Sequence, residues 1–150
     1  KALEKATPDQ LRSIALAVAR FACERAELKD PVIELALLEL QDRRYDDPYL
    51  KKGVERVAEH WDEYAFKMRE IEEEKLAPLG ITRLPDDSPF TKAHDMGFFR
   101  ARAASSVLFA FHEDPFKAAK EGIYEAWHTS SDEDTESIRK IVLSIVEDEP

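Results

Sequence analysis

Hydrophobic residues recur along this chain at the three-to-four-residue spacing of α-helices. The most apolar stretch covers residues 14–23, in which Arg20 is the only charged residue. Thr7-Pro8-Asp9-Gln10 stands before it, which is the layout of a capping box with Thr at the N-cap and Gln three residues later. The pattern therefore predicts a first helix over about residues 8–28, apolar nearly all round and central in the fold.

Asp-Pro dipeptides indicate where further helices begin. An Asp side chain at the N-cap accepts from free backbone N–H groups, and Pro at the next position has no N–H donor to leave unpaired. The first dipeptide begins a helix that ends near Arg44, the second begins the longest helix, to about Leu76, and the third begins a fifth helix. The three dipeptides are Asp30-Pro31, Asp47-Pro48 and Asp114-Pro115.

The longest predicted helix carries a narrow apolar seam with coiled-coil spacing, which we expect to pack against the rest of the domain. After the seam, Glu72-Glu73-Glu74 reads as solvated surface. Residues 77–92 contain three prolines and a glycine, which exclude a continuous helix. This segment either folds back on the helices or covers or forms a binding site. The seam consists of Val54, Val57, Trp61, Tyr64, Met68 and Ile71.

Ser88-Pro89 repeats the cap pattern and predicts a fourth helix, established by Met96 and continuing to about Phe111. Acidic residues before Thr135 favour the start of a sixth helix. The predicted fold is all-α: one domain over residues 1–150, a bundle of five or six antiparallel helices. Two helix hairpins joined by the long helix and the Pro-rich loop are one version of it. We expect helices one, two and four inside and helices three, five and six amphipathic.

Composition excludes some classes of binding partner but identifies none. At 150 residues with 43% hydrophobic content, the chain has enough apolar surface for one core. Its net charge of −10 disfavours nucleic acid and anionic lipid headgroups, and no apolar run approaches the roughly 20 residues that span a bilayer. The lone Cys23 cannot form an internal disulfide, and its apolar neighbours predict a small buried side chain. We therefore expect a cytoplasmic protein that binds neither nucleic acid nor membranes.

Several short motifs together resemble those of an uncharacterised group of helical bacterial proteins abundant in planctomycetes. The resemblance covers most of the chain and implies a helical fold. That group has no assigned activity, so it implies no site residues. The motifs are Arg20-Phe21-Ala22-Cys23, Arg43-Arg44-Tyr45-Asp46-Asp47, Arg100-Ala101-Arg102-Ala103-Ala104, Ala118-Ala119-Lys120-Glu121 and Tyr124-Glu125-Ala126-Trp127.

His94-Asp95 resembles the His-Asp pair of the HD-domain phosphohydrolases, which are all-helical metal enzymes. The resemblance implies that an upstream His and a downstream Asp complete the metal site, and the candidates are His60 and either Asp114 or Asp132. Here, however, the pair follows the Pro-rich segment and not an apolar helical stretch. The alternative interpretation places His94 and Asp95 in a loop or in the first turn of helix four.

Two further patterns have a structural interpretation beside a chemical one. Glu125 and His128 have the Glu-x-x-His spacing of di-iron bundles, but no second such pair exists, so we expect His128 to cap helix five. Ser105 and Ser106 lack the Gly-x-Ser-x-Gly setting of a nucleophile. We expect their hydroxyls to bond back to the preceding helical turn.

We assign no catalytic, cofactor-binding or metal-binding residue from the sequence. The favoured function is a protein-interaction or scaffolding module without catalytic activity, which contacts a protein partner or a second copy through residues 54–76 and 77–92. One alternative is the metal-dependent phosphohydrolase. The other is a bundle that binds a small molecule or lipid in a pocket lined by Phe98, Phe99, Phe109 and Phe111.

Overall fold

The structure is a computed structural model that describes residues 2–81, 88–130 and 135–147. These residues form six α-helices and two single turns of 3-10 helix, at Leu3–Lys5 and Ala77–Leu79, with no strand among them. The prediction of an all-α bundle is confirmed, with six helices. They are α1 (Pro8–Arg25), α2 (Pro31–Gln41), α3 (Pro48–Leu76), α4 (Pro89–Ala110), α5 (Pro115–Trp127) and α6 (Thr135–Glu147).

The helices begin where the caps predicted them. Thr7 Oγ1 accepts from the backbone N–H of Gln10 at 3.1 Å, and Gln10 Oε1 accepts from that of Thr7 at 2.8 Å, which is the complete capping box. The side chains at the other N-caps each accept from the N–H two residues further on. These N-caps are Asp30, Asp47, Ser88 and Asp114.

The first two helices end earlier than the apolar pattern indicated. Glu27 and Arg43 adopt positive φ angles of 53° and 58°, a left-handed conformation that terminates a helix. The N–H of Leu28 then donates to the carbonyl of Cys23, and the N–H of Arg44 to that of Glu39, both at 2.9 Å. Both ends are therefore Schellman motifs, formed here without the usual glycine.

All six helices contribute to one hydrophobic core. α1 packs between α4 and α5 and also supports α6, while α3 lies along α4 over the largest interface. The central position predicted for α1 is thus confirmed. Arg12 of α1 caps the end of α4, since its guanidinium donates to the carbonyls of Ala110, His112 and Glu113 at 3.2, 2.6 and 2.9 Å.

The prediction that α2 lies inside the bundle was wrong. Leu35 and Leu38 are 52% and 59% exposed, and only one face, with Ile33, Ala36 and Leu40, is buried. α2 covers the beginning of α3, where a Cβ on Gly53 would lie 3.0 Å from Val32. With so short a helix on one side of the core, its outer leucines meet no other helix.

α3 and α4 continue together past the shared core. The core includes α3 up to Ala58, with Trp61 packed against it, and α4 from Ala103, with Phe99 packed against it. Residues 62–81 and 88–98 contribute nothing to the core or to the apolar side chains around it. We call these two stretches the distal hairpin. None of the described helices is both long and apolar enough to cross a membrane.

Candidate interaction surface

The two helices of the distal hairpin approach each other closely at Gly97. A Cβ on this residue would lie 2.9 Å from Tyr64 Cδ1 and 3.1 Å from both the Cβ and the backbone N of Ala65. Only a residue without a side chain permits this approach. Residues 64 and 65 lie opposite residue 97 and Asp62 pairs with Arg102, so α3 and α4 run antiparallel.

Arg102 connects three helices at the base of the distal hairpin. Its Nη2 donates to both carboxylate oxygens of Asp62 in α3, at 3.2 and 2.9 Å, and its Nη1 donates to Glu125 Oε2 in α5 at 3.2 Å. The guanidinium also lies 5.4 Å from the ring centroid of Phe98. One arginine therefore ties α3, α4 and α5 together at this point.

Glu125 is the most buried carboxylate in this cluster, at 8% exposure. Burial raises its pKa, and the nearby Arg102 guanidinium only partly offsets that increase. The imidazole of His128, which completes the Glu-x-x-His spacing, forms no hydrogen bond with the Glu125 carboxylate. His128 Nδ1 lies 2.7 Å from the carbonyl oxygen of Tyr124, to which it donates, at the C-cap of α5. The predicted capping role of His128 is confirmed.

His94 and Asp95 lie in the second turn of α4, one turn further in than the structural interpretation placed them. His94 Nδ1 and Asp95 Oδ1 are 3.2 Å apart. The pair faces the end of α3 across a polar cavity of about 510 Å³, which Arg69 and Glu72 also line. Glu72 is half-buried and Glu73 is exposed, and both line this cavity; Glu73 and Glu74 are thus exposed as predicted.

The structure does not bring His60 to this pair. Because α3 and α4 are antiparallel, His60 lies towards the core, about twelve residues or 18 Å along α3 from Glu72, which shares the cavity with His94. Asp114 caps α5, and Asp132 lies outside the described residues. Within the described ranges, no group of three or more His, Cys, Asp or Glu could hold a metal ion.

The four phenylalanines of the lipid-pocket hypothesis do not converge either. Phe111 is fully buried and Phe98 is exposed, and thirteen positions along α4 separate them by about 20 Å. Phe99 contacts Phe98 edge-on, with ring centroids 6.0 Å apart. These rings therefore stabilise different parts of the fold.

Cys23 and Ser106 are both buried in the core region. Cys23 is buried as predicted, and burial, with a smaller effect of Glu24, raises the pKa of its thiol to about 12. Ser106 is fully buried, but its hydroxyl donates across to the carbonyl of Gly122 in α5 at 3.0 Å. The expected bond from Ser106 to the preceding turn of its own helix was wrong, because α5 approaches closely enough to supply the acceptor.

The outer surface of the distal hairpin combines exposed apolar side chains with negative charge. Phe66 is 64% exposed, and Leu79 and Ile81 are exposed beyond it. Residues 62–81 and 88–98 together carry seven acidic and four basic side chains. On the helix, Asp62, Glu63 and Glu70 stand three or four positions from Phe66, as does the basic Arg69.

The segment 77–92 is only partly described. The helix break predicted at its start is confirmed by the 3-10 turn Ala77–Leu79 and by Gly80, whose φ of 66° favours glycine. Phe90 is half-buried, with Lys75 Nζ 5.7 Å from its ring centroid. Residues 82–87 lie outside the described part of the chain, so the two expectations for this loop both stay open.

Sequence reasoning assigned no role to Arg102 or Arg12. Each is an arginine within an otherwise apolar or alanine-rich helix, which is an unusual position for a charge. The spacing of residues does not show whether such a side chain points to solvent or towards another helix. Comparisons of the chain with protein-family models, with curated proteins and with solved structures find no match. The resemblance to the planctomycete group therefore stays a prediction.

Proposed function

We propose that this chain is a protein-interaction module and that the distal hairpin is its contact surface. The observation that carries the proposal is that residues 62–81 and 88–98 stand outside the shared core and still present Phe66, Leu79 and Ile81 to solvent. Exposed aromatic side chains on a preformed helix are typical anchors of protein interfaces. Phe66, Leu79 and Ile81 lie within the segment that the sequence indicated, residues 54–76 and 77–92, whereas residues 93–98 of the distal hairpin lie beyond it.

The charges around Phe66 favour a partner other than a second copy. Asp62 is paired with Arg102, but Glu63 and Glu70 still outnumber the basic Arg69 beside Phe66. A symmetric interface would bring two such net negative surfaces together, and like charges there are costly. A partner with an apolar recess bordered by Lys or Arg is complementary to this surface. Association should then weaken as salt rises, because the acidic side chains that attract such a partner are exposed and screened by ions.

A photo-cross-linking amino acid at position 66 tests the proposal in cells that naturally make the protein. The matched control places the same group at position 49, since Tyr49 is an exposed aromatic at the opposite end of the same helix. We expect a defined protein adduct from position 66 that is absent from position 49. Identical adducts from both positions, or none from position 66, contradict the proposal.

Binding of the purified partner gives the second measurement. Phe66→Ser should weaken the dissociation constant by about thirtyfold, the effect of losing an interface anchor worth ~2 kcal/mol, while Tyr49→Ser leaves it unchanged. Analytical ultracentrifugation distinguishes the self-association alternative. A dimer that Phe66→Ser dissociates would support a second copy as the partner and contradict the basic recess.

As part of the same proposal we place the protein in the cytoplasm. The support is the cysteine usage: Cys23 is the single cysteine of the sequence and it is free and buried. A fluorescent fusion of the chain in the source cells checks this location directly.

A further inference from the structure

A second surface feature lies on α5 and α6, which form no part of the distal hairpin. Both helices pack on α1, but they scarcely touch each other. Between them runs a groove with a volume of about 450 Å³, within the range of small-molecule sites. Its apolar lining consists of Ala2, Ile123, Trp127, Ile138, Val142 and Leu143.

Arg139 is the one charged residue among those that line the groove. Its guanidinium forms no ion pair with any residue in the described parts of the chain. Thr135 lies one turn earlier on the same face of α6 and also borders the groove. The groove is therefore apolar except for a cation and a hydroxyl one turn apart on α6, which together match the carboxylate of an amphipathic molecule.

We propose that this groove binds a small aliphatic carboxylate, of the size of a medium-chain fatty acid. The aliphatic chain lies against Ile123, Ile138 and Val142, and the carboxylate accepts from Arg139. A neutral chain of the same length fills the groove but accepts no charge-assisted hydrogen bond from the guanidinium. The occupant is a single small molecule, because the groove holds about 450 Å³ and one charged residue lines it. This site is separate from the proposed interaction surface, and either proposal can fail without the other.

Isothermal titration calorimetry of the full chain with sodium decanoate tests the site, with decanol and decyltrimethylammonium as probes of the charge. We expect saturable binding of one decanoate, weaker binding of decanol and none of the cation. Arg139→Gln should weaken decanoate binding about tenfold, the effect of losing one charge-assisted hydrogen bond, and leave decanol unchanged. Lys140→Gln is the matched control, since this exposed neighbour does not line the groove.

Fluorescence quenching and groove-filling substitutions test whether the ligand binds in this groove. The chain has two tryptophans, and only Trp127 lines the groove, so a bromine-labelled decanoate should quench its fluorescence in a Trp61→Phe background. Val142→Trp and Leu143→Trp each fill the groove and should abolish binding. Circular dichroism shows which of the two keeps the helical fold, and that variant is used.

Three results would overturn the proposal. The first is the absence of saturable decanoate binding below the concentration at which decanoate aggregates. The second is equal weakening by Arg139→Gln and Lys140→Gln, which indicates general attraction to positive charge. The third is undiminished binding in a folded groove-filled variant, which places the ligand elsewhere.

Discussion

Arg102 and Glu125 show how single polar residues set the arrangement of this bundle. The carboxylate of Glu125 is almost completely removed from water, and Arg102 is its ion-pair partner across the α4–α5 interface. Arg102 also holds Asp62 of α3, so one guanidinium orients two neighbouring helices. A buried pair of this kind adds little net stability over apolar side chains, but removing one member is costly. The pair therefore specifies geometry more than it adds free energy.

The raised pKa of Glu125 leads to a pH-dependent prediction. Protonation of Glu125 is favoured more in the folded than in the unfolded state, so just above pH 4.5 the folded chain binds more of this proton, and that contribution to stability is lost as pH rises through the raised pKa. The stability of the wild type relative to Glu125→Gln should fall as pH rises from 4 to 7, because Gln stays neutral and still accepts from Arg102. Urea unfolding at both pH values measures this difference.

Glu55→Gln, on the exposed face of α3, is the control for removing a surface carboxylate. If the wild type instead gains stability relative to Glu125→Gln as pH rises towards 7, the result contradicts a raised pKa for the buried Glu125 carboxyl. The comparison uses differences between variants at each pH, so other titrating groups cancel.

At the scale of helices, the starts were readable from the sequence, and so was the end of α3 at Leu76, but the ends of α1 and α2 were not. An N-cap is a local event, in which a side chain such as Asp114 bonds a backbone N–H two residues away. The ends of α1 and α2 depend on Glu27 and Arg43 adopting a left-handed conformation that residue type does not announce. The apolar pattern of α2 was likewise misleading. Leu35 and Leu38 are exposed because the burial of a side chain depends on neighbours that are remote in the chain.

Two glycines on different helix interfaces give a matched test of helix packing. Gly97→Ala places a methyl group 2.9 Å from Tyr64 and should destabilise the fold by about 1–3 kcal/mol, since α3 and α4 must separate. Gly122→Ala meets Val18 at an ordinary 3.6 Å and should be neutral or stabilise by up to about 1 kcal/mol. Chemical denaturation of both variants measures the difference.

Equal effects of the two substitutions would mean that the α3–α4 crossing is not governed by close backbone approach. Each variant serves as the control for the other, because both glycines lie inside helices and both substitutions add one methyl group. Gly97 thus decides whether the distal hairpin keeps its present spacing.

At the scale of the whole molecule, the fold divides into a six-helix core and the distal hairpin. The core side chains come from every helix, whereas Ala65 and Leu76 of the distal hairpin are buried outside that core. A helix pair with few tertiary neighbours opens locally at a smaller free energy than the core does. The proposed contact surface therefore lies on a part of the described chain that contributes no side chain to the shared core.

Amide hydrogen exchange tests this division. Amides at 66–76 and 92–98 should exchange through local opening, with lower protection than those at 14–23 and 103–110. Uniform protection over both helices of the hairpin and the core would mean that the molecule unfolds as one unit. The core segments of α3, at 54–58, provide the comparison within one helix.

The sequence by itself determined the helical class, a bundle of five or six helices and the residue at which each described N-cap acts. Those features follow from interactions between residues close in the chain, namely apolar spacing and side-chain caps. Tertiary structure decided the rest: the position of α2, the inward direction of Arg102, the separation of His60 from His94 and the groove between α5 and α6. Each depends on the distance between segments remote in the chain, which periodicity does not encode.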